Sequence, residues 1–365
     1  MAGEARARLA ARVGRVRHRE IWLDGSGPAS RWLVLRTADD VFVHAGDARG
    51  ISHVRSSLST LTAAAASIDW RSTIGTAGRP AGPFDVVASF LGRRNYNRFE
   101  VEAAVGGRVA KTTGRYQVTR GHDRRPATAT STTIRVHIEG DEAVFGVRIG
   151  DEPLHRRGWK QDDQIGTLHP PVAAAVALIT GLRDDLMLWD AFCGAGTIAI
   201  EALDDAAGLT AVASDLSPMA TSATIRNARR AGVSDRLAVV RADAGALPVI
   251  PGGLLRIAGN APWGRALEPA GRLAAGGVGG LVGELARALG AEGRACLLVG
   301  DDTVSPLVEA AGRAGLEVGG IVNVTVAGAR SALVVVTRAS SDFVDVKARF
   351  GRELADEFAS TGAAV

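Results

Sequence analysis

Residues 186–203 read LMLWDAFCGAGTIAIEAL. An apolar run ends in an acid, Asp190, and a short turn with Gly194 and Gly196 follows. From Thr197 onward the apolar residues have the spacing of a helix. The stretch therefore predicts a strand, a glycine turn and a helix start. Because glycine has no Cβ and the first N–H groups of a helix are unpaired, this arrangement lets a nucleotide-like ligand approach the backbone closely.

The glycine turn is compatible with two cofactors. Gly194 and Gly196, followed by Ala199, match the loose dinucleotide fingerprint, and Asp215 lies about 20 residues on, where a ribose contact is expected. Asp190, however, precedes the first glycine at a position where a dinucleotide-binding strand is usually apolar. A carboxylate there suits S-adenosylmethionine, which carries an ammonium and a sulfonium and has no pyrophosphate. The turn by itself leaves a nicotinamide enzyme open as the alternative.

The chain after residue 167 alternates between apolar runs and helical patterns. The predicted strands are Leu186–Phe192, Leu209–Ser214, Leu237–Arg241, Leu254–Ala258 and Ala295–Gly300. The predicted helices are Val172–Leu182, Thr197–Leu203, Pro218–Ala231, Gly280–Leu289 and Val304–Ala314. This alternation predicts a doubly wound, mostly parallel sheet. Two last strands, Gly320–Val326 and Ser331–Thr337, are joined by so short a turn that they must form an antiparallel edge hairpin, which makes seven strands.

Acids also close the second and third of these strands. Asp215 is placed to accept hydrogen bonds from ribose hydroxyls, a role that both cofactors share. Capping of the next helix is its alternative role, although Ser217 can fill that position. Asp243 is placed to accept a hydrogen bond from an adenine amino group. Because the carboxyl ends of parallel strands meet at one edge, these acids are expected near the glycine turn.

The fourth strand ends in the sequence AGNAPWGR, residues 258–265. The side-chain oxygen of Asn260 and the carbonyl of Ala261 can accept both N–H groups of an exocyclic amine. Pro262 stiffens the turn, and Trp263 offers a face on which an extruded base can stack. An ordinary loop with a buried Trp263 is the alternative. The acids at the three preceding strand ends favour the catalytic interpretation.

The sequence of residues 1–160 predicts two smaller α+β units. In the first, residues 31–36 and 40–44 form a predicted hairpin, residues 52–68 a helix, and residues 72–82 a linker. The predicted strands of the second are Phe84–Phe90, Tyr116–Thr119, Thr133–Ile138 and Ala143–Ile149. Arg98–Val105 is a predicted helix, and residues 121–133 a predicted exposed loop.

The charge is unevenly divided along the chain. Residues 1–160 hold 26 Lys and Arg against 16 Asp and Glu, a net charge of +10, whereas the remainder carries −6. A basic front half indicates a polyanion partner, with solubility bias as the alternative. In the run LHRRGW, residues 154–159, the two arginines can pair with phosphate and Trp159 can stack on a base. The alternative is that Trp159 packs beneath the strand end. The candidate polyanion contacts are Arg93, Arg94, Arg124, Arg125, Arg156 and Arg157.

Composition excludes several other classes of protein. The two cysteines, Cys193 and Cys296, have no disulfide or zinc-site spacing, which is typical of a reducing, cytoplasmic setting. No apolar run approaches the roughly 18 residues that a membrane crossing needs. The sequence predicts neither a metal site nor a membrane partner.

The glycine turn and the Asn260–Gly264 loop together resemble class I S-adenosylmethionine-dependent methyltransferases that methylate amino groups. The front half resembles a THUMP domain preceded by a small ferredoxin-like domain, and the run at residues 154–159 is similar to the link between THUMP and catalytic domains. The chain thus resembles the THUMP-containing guanine-N2 methyltransferases of tRNA, with related enzymes acting on 23S rRNA. The resemblance covers about residues 20–340 and is strongest over residues 143–264.

This resemblance implies a domain order and a set of site residues. The domains are 1–75 (ferredoxin-like), 76–160 (THUMP, which grips RNA), 161–340 (a Rossmann-like methyltransferase domain) and a 341–365 tail. The residues implied to bind S-adenosylmethionine are Asp190, Phe192, Cys193, Gly194, Gly196, Thr197, Asp215, Leu216, Asp243, Ala244 and Asn260. Those implied to face the base and act in catalysis are Asn260, Ala261, Pro262 and Trp263.

One departure from the family pattern bears on activity. The family usually has two prolines before the aromatic residue, and Ala261 replaces the first. The backbone carbonyl survives but the turn loses rigidity, so an RNA-binding protein with a vestigial methyltransferase domain stays open. An amino methyltransferase of DNA is a further alternative, and the basic front half argues against it.

Overall fold

The computed structural model describes residues 1–17, 19–118, 131–262 and 270–338. The chain divides into two compact units. The N-terminal unit comprises Glu4–Gly14 and Trp22–Leu154, and the C-terminal unit comprises Met1–Gly3, Arg15–Ile21 and the chain from His155 onward. In the described part of the chain, every helix falls short of the length and hydropathy that a membrane crossing needs.

Helices and strands follow one another along both units. The strands are β1 (Arg12–Val16), β2 (Ile21–Asp24), β3 (Phe42–Ala48), β4 (Phe84–Phe90), β5 (Thr132–Glu139), β6 (Glu142–Arg148), β7 (Met187–Asp190), β8 (Thr210–Asp215), β9 (Leu237–Arg241), β10 (Leu254–Asn260), β11 (Leu289–Gly300), β12 (Leu316–Val326) and β13 (Ala329–Arg338). The α-helices are α1 (Ala2–Leu9), α2 (Ser57–Ser67), α3 (Trp70–Thr76), α4 (Arg98–Thr113), α5 (Pro170–Thr180), α6 (Thr197–Asp205), α7 (Pro218–Ala231), α8 (Arg272–Ala288) and α9 (Asp301–Arg313).

The N-terminal unit is built on a four-stranded sheet in the order β3-β6-β5-β4, as far as the described residues extend. Strands β4 and β5 are parallel and the other pairs are antiparallel. Alternate residues of β4, β5 and β6 enter a core with Trp70 and Phe145. Helix α4 begins with a capping box between Asn97 and Glu100 and ends at Gly114 in the left-handed region.

The C-terminal unit is built on a sheet whose described strands run in the order β12-β13-β11-β10-β7-β8-β9. Strands β11, β10, β7, β8 and β9 are parallel, and β13 and β12 complete the sheet as an antiparallel hairpin. Buried apolar clusters cover both faces of the sheet. The predicted seven-stranded, mostly parallel sheet with an antiparallel edge hairpin is therefore confirmed.

Local sequence signals set the helix ends that border this sheet. Helix α5 has proline in its first turn and ends at Gly181, whose φ of 74° favours glycine. Helix α7 begins at Pro218 behind the cap Ser217, which accepts a hydrogen bond from the amide of Ala220, and ends at Ala231 with Gly232 as its C-cap. These signals were readable from the sequence, and α7 begins and ends at the predicted residues.

Three local predictions for the front half were wrong. Residues 29–34 form a 3₁₀ helix rather than a strand, because Leu35 closes a small cluster with Ala5 and Leu9, and β3 pairs with the distant β6 instead of a hairpin partner. The predicted linker after residue 72 holds most of α3. Around residue 117 a single bridge to Phe84 replaces the predicted strand, whose last residue, 119, lies outside the described residues.

The structure joins the two predicted front domains through one sheet. One sheet and one core connect β3 to β4–β6, across the predicted boundary at residues 75–76. The break between the compact units falls at residues 154–155, six residues before the predicted boundary at residues 160–161. The sequence could not show this because β3 and β6 lie almost 100 residues apart. The ferredoxin-like and THUMP assignments stay predictions, and the predicted tail at 341–365 lies outside the described residues.

Candidate active site

A cavity of about 340 Å³ lies at the carboxyl ends of the parallel strands in the C-terminal unit. This is the edge at which doubly wound sheets bind ligands. The predicted site residues that line it are Phe192, Cys193, Gly194, Thr197, Asp215, Leu216, Asp243, Ala244, Asn260 and Pro262. The predicted residues Asp190, Gly196 and Ala261 lie behind the lining, and Trp263 lies outside the described residues. The structure thus brings together residues that are up to 70 positions apart in the chain.

The two glycines of the turn after β7 have different structural reasons to be glycine. Both have positive φ angles, 52° at Gly194 and 81° at Gly196. A Cβ on Gly196 would lie 2.7 Å from Cγ2 of the buried Thr224, so the turn packs directly on α7. A Cβ on Gly194 would meet nothing within 4 Å. Gly194 therefore leaves open space at the cavity wall, and Gly196 allows close packing behind it.

Asp190 is the most unusual polar side chain of the site. It is fully buried, and neither carboxylate oxygen has a hydrogen-bond partner among the described residues. Burial raises its pKa to about 7, and the backbone N–H groups of Phe192 and Ala199, which are near the carboxylate but do not meet hydrogen-bond geometry with it, limit that rise. An unsatisfied buried carboxylate is costly, so Asp190 is a candidate for contact with a ligand.

Thr197 supplies a second buried polar atom without a partner. Its side chain is 3% exposed, it lines the cavity, and its Oγ1 has no hydrogen-bond partner among the described residues. Thr197 is also the first residue of α6, where the backbone N–H groups of the first turn are not used within the helix. The turn therefore presents both donors and acceptors to a polar ligand.

Asp215 links the glycine turn to the start of α7. Its Oδ2 accepts a hydrogen bond from the amide of Gly194 at 3.0 Å, and its Oδ1 accepts one from the amide of Ser217 at 2.9 Å. Ser217, and not Asp215, caps α7, which removes the helix-cap alternative. The half-buried Asp215 carboxylate is thus held at the cavity wall by two backbone amides.

Asp243 fixes the opposite part of the lining in the same way. Its carboxylate accepts hydrogen bonds from the amide of Gly245 and from the amide of Arg272, each at 2.8 Å. Arg272 is the first residue of α8, so Asp243 ties the end of β9 to that helix. Both strand-end acids are oriented by the backbone before any ligand binds, which reduces the ordering cost of binding.

The end of β10 places Asn260 at the cavity wall. Its Nδ2 donates a hydrogen bond to the carbonyl of Gly166 at 3.0 Å, which fixes the orientation of the side-chain amide. The amide of Ala261 donates to the carbonyl of Leu298 at 3.1 Å. Gly259 must lack a Cβ, because that atom would lie 2.8 Å from the ring of Phe192. Ala261 stands where the family has its first proline. Its N–H, which proline lacks, anchors residue 261 to β11.

The sequence analysis missed a segment that lines the cavity from another side, residues 164–168. Asn227, fully buried on α7, donates to the carbonyls of Asp162 and of Ala195 in the glycine turn, at 2.9 and 3.0 Å. Asp162 pairs with Arg226 and Arg230, whose hydrogen bonds lower its pKa to about 2. The one local signal was the Gly166-Thr167 pair ahead of a proline-started helix.

The six arginines proposed to contact a polyanion separate into three groups. Arg157 forms a two-pronged ion pair with the fully buried Glu201 of α6, at 2.7 and 3.2 Å, so its predicted polyanion contact is corrected to a structural role. Arg94 likewise donates to the carbonyls of Ile51, Ser52 and Gly140.

Arg93 and Arg156 are exposed, and Arg124 and Arg125 lie outside the described residues. Trp159 is 8% exposed and packs in the core of the C-terminal unit, which favours the packing alternative over base stacking. The sequence could not show these partners, because Glu201 follows Arg157 by 44 positions.

The cavity fits S-adenosylmethionine on its own chemistry. The unsatisfied carboxylate of Asp190 complements a cationic ligand, the strand-end acids complement hydroxyl and amino donors, and Gly194 leaves room for close approach. No pyrophosphate-binding cation is needed for such a ligand. Together with the sheet order, these features define a class I S-adenosylmethionine-dependent methyltransferase.

Comparison with known proteins identifies the family. Residues 157–332 match the model of the UPF0020 family, described as an RMKL-like methyltransferase domain. A tRNA (guanine(6)-N2)-methyltransferase from Thermus thermophilus is 31% identical over 259 residues, which are 71% of each chain. The protein belongs to this family of RMKL-like methyltransferases.

Two further relatives extend the comparison. The crystal structure of TrmN from Thermus thermophilus superimposes with a TM-score of 0.64 at 25% identity, covering 87% of this chain and 91% of that one. A ribosomal RNA large subunit methyltransferase K/L from Syntrophotalea carbinolica is 28% identical over 161 residues, which are 41% of this chain and 21% of that protein.

Proposed function

We propose that this protein transfers a methyl group from S-adenosylmethionine to the exocyclic N2 of a guanosine in tRNA. The observation that carries the proposal is the single cavity shared by the glycine turn, the strand-end acids and the Asn260–Pro262 segment. The similarity to a tRNA (guanine(6)-N2)-methyltransferase over 71% of the chain supports tRNA as the substrate.

In this proposal the strand ends hold the methyl donor. Asp190 supplies the buried negative charge that complements the cationic amino-acid end, and Gly194 and Thr197 lie against that end. Asp215 accepts from the ribose hydroxyls, and Asp243 accepts from the adenine amino group. The remaining donor contacts are assigned to Phe192, Cys193, Leu216, Ala244 and Asn260, with Gly196 behind the turn.

The Asn260 segment orients the reacting amine. S-adenosylmethionine supplies an electrophilic methyl group when bound. The N2 lone pair of guanine is delocalised into the ring, so orientation contributes more than a strong base. The side-chain oxygen of Asn260 and the carbonyl of Ala261 accept the two N–H bonds of the amine and turn its lone pair toward the methyl group. Pro262 and Trp263 are assigned to binding of the base, and the amine proton is lost to solvent after transfer.

The basic N-terminal unit is assigned to RNA binding. It would act as a THUMP domain that delivers the acceptor end of tRNA in the cytoplasm, with Arg93 and Arg124–Arg125 among its contacts and Arg156 at the start of the C-terminal unit. A guanosine of 23S rRNA is the second candidate substrate, because a ribosomal RNA methyltransferase K/L shares 28% identity over 161 residues.

Nucleoside mass spectrometry of tRNA and rRNA fractions from a deletion strain tests the substrate. Loss of N2-methylguanosine from tRNA alone is expected, whereas loss from rRNA alone would select the second candidate. Unchanged profiles in both fractions would contradict the proposed activity.

The purified Asn260→Ala variant tests the mechanism. We expect a loss of about 100-fold in kcat, because an orienting acceptor is removed from the reacting amine. Full activity with unchanged cofactor binding would exclude Asn260 from that role. Cofactor binding by the wild-type protein without turnover on any RNA would instead indicate a vestigial enzyme.

A further inference from the structure

A second depression adjoins the main cavity on the surface of the C-terminal unit. Its lining residues define what we call the α7 groove: Gln164, Pro218, Met219, Ser222 and Arg226. Gln164 lines the main cavity as well, and Ser217 of that cavity directly precedes Pro218. The α7 groove therefore adjoins the main cavity at Gln164 and at the start of α7.

Two large apolar side chains are exposed at this junction. Met219 is 68% exposed in the groove, and Ile165 is 78% exposed on the segment that lines the main cavity. Ile165 does not lie on a loose loop, because Asn227 and the ion pairs of Asp162 hold the preceding residues on α7. Single exposed apolar residues are ordinary, but two at the mouth of one cavity point to an apolar contact there.

The charge next to these residues is positive. Helix α7 carries Arg226, Arg229 and Arg230 and contains no acid. Asp162 pairs with Arg226 and Arg230, so one acid balances only part of the charge of three arginines. This face is basic although the chain after residue 160 has a net charge of −6. Positive charge beside exposed apolar groups complements nucleic acid better than it complements a protein surface.

We propose that the α7 groove binds the RNA strand immediately beside the methylated guanosine. Met219 and Ile165 contact the bases that flank the extruded guanine, and Arg229, the arginine of α7 that Asp162 does not pair, contacts a backbone phosphate. Extrusion leaves the neighbouring bases without a stacking partner, and exposed Met and Ile side chains serve at such unstacked steps in other complexes. The inference rests on the proposed function and adds a strand-binding surface to it.

Site-specific photo-crosslinking tests the surface directly. A benzophenone amino acid replaces Met219 in the full chain, and Ile250 is the matched control position. Ile250 is 77% exposed and precedes the amino end of β10, at the end of the sheet opposite the cavity. With unmodified tRNA, we expect at least about fivefold more RNA crosslinking from position 219 than from position 250, on nucleotides next to the methylated guanosine.

Equal RNA crosslinking at the two positions would overturn the proposal. Crosslinks from position 219 to a protein partner in place of RNA would also overturn it. RNA crosslinking at position 219 by a protein that transfers no methyl group would support the groove and refute the proposed reaction. The proposed strand-binding role of the α7 groove and the proposed methyl transfer can therefore be refuted independently.

Steady-state kinetics give a second, independent readout. Met219→Ala combined with Arg229→Ser should raise the KM for tRNA about tenfold and leave kcat within about twofold, because only strand binding is weakened. The KM for S-adenosylmethionine should not change. Arg313→Ser on α9, whose side chain is 70% exposed, is the matched control and should match the wild type. A wild-type KM for tRNA in the groove variant, with methylation intact, would refute the groove alone.

Discussion

Asp190 is a buried carboxylate and Asp40 a largely buried one, and their surroundings are opposite. In the N-terminal unit, Asp40 lies 2.8 Å from Nε and 2.7 Å from a terminal nitrogen of Arg148. In the C-terminal unit, Asp190 is more deeply buried and has no hydrogen-bond partner among the described residues. Burial raises the pKa of both, but the charge of Arg148 opposes the rise only at Asp40.

The difference separates an acid that is paired within the fold from an acid that we propose contacts a ligand. Arg148 also donates to Thr133, which donates to Asp85, so Asp40 belongs to a polar network within one sheet. Asp190 lies beside a glycine turn and a cavity. A buried carboxylate that the fold leaves unsatisfied marks a binding site, whereas a satisfied one does not.

The Arg148→Met variant removes the ion pair between Arg148 and Asp40. It leaves Asp40 buried without its cation, and we expect the free energy of unfolding to fall by about 3–5 kcal/mol. Urea denaturation monitored by circular dichroism measures this loss. A loss below about 1 kcal/mol, the range of surface ion pairs, would show that the pair contributes little.

The Asp190→Asn variant should have the opposite effect on the protein without ligand. The folded-state pKa of about 7 lies above the ordinary value of 3.8, so folding favours the protonated acid. The stability contribution of this group is present below about pH 4 and is lost as the pH rises to about 7, for a total of about 4 kcal/mol. At pH 8 the variant should therefore be more stable than the wild type.

Denaturation of both proteins at pH 5 and pH 8 checks this sign. The gap between variant and wild type should widen toward pH 8. A variant that is less stable than the wild type at pH 8 would mean that Asp190 is satisfied within the fold.

Substitutions of the two glycines in the turn should change the free energy of unfolding by smaller amounts. Gly196→Ala places a Cβ against Thr224 at a φ of 81°, so we expect a stability loss of about 2 kcal/mol or more. Gly194→Ala meets open space and should cost only about 1 kcal/mol, but its Cβ stands at the cavity wall and should weaken cofactor binding. Thermal unfolding with and without S-adenosylmethionine separates the two effects, and equal behaviour of both variants would contradict their assigned roles.

The sheet, and the meeting of its strand-end acids beside the glycine turn, were predictable because their signals are local. Strand, turn, acid and helix follow one another within residues 186–203, and the acids of β8 and β9 come directly at strand ends. Parallel topology then brings these ends together without further information. Because β10 is one of these parallel strands, the residues that follow it were expected at the same edge, and Asn260 and Pro262 line the cavity there.

The remaining roles depend on partners that are distant in the sequence. The sequence predicts that Arg157 and Arg94 contact a polyanion. In the folded chain Arg157 pairs with Glu201, and Arg94 donates to three backbone carbonyls. The cavity segment at residues 164–168 carries no motif of its own, and only the buried Asn227 reveals how it is held. Side-chain pairing of this kind needs the folded chain.

Isothermal titration of S-adenosylmethionine into wild-type protein, Asp190→Asn and Asp40→Asn at pH 8 tests the central claim most directly. At this pH the wild-type Asp190 is mostly ionised, which the cationic ligand requires. We predict that the wild type and Asp40→Asn bind with similar affinity and that Asp190→Asn binds at least about tenfold more weakly, as expected for loss of a charged partner. Equal affinity of all three proteins would contradict the assignment of Asp190 to the methyl donor.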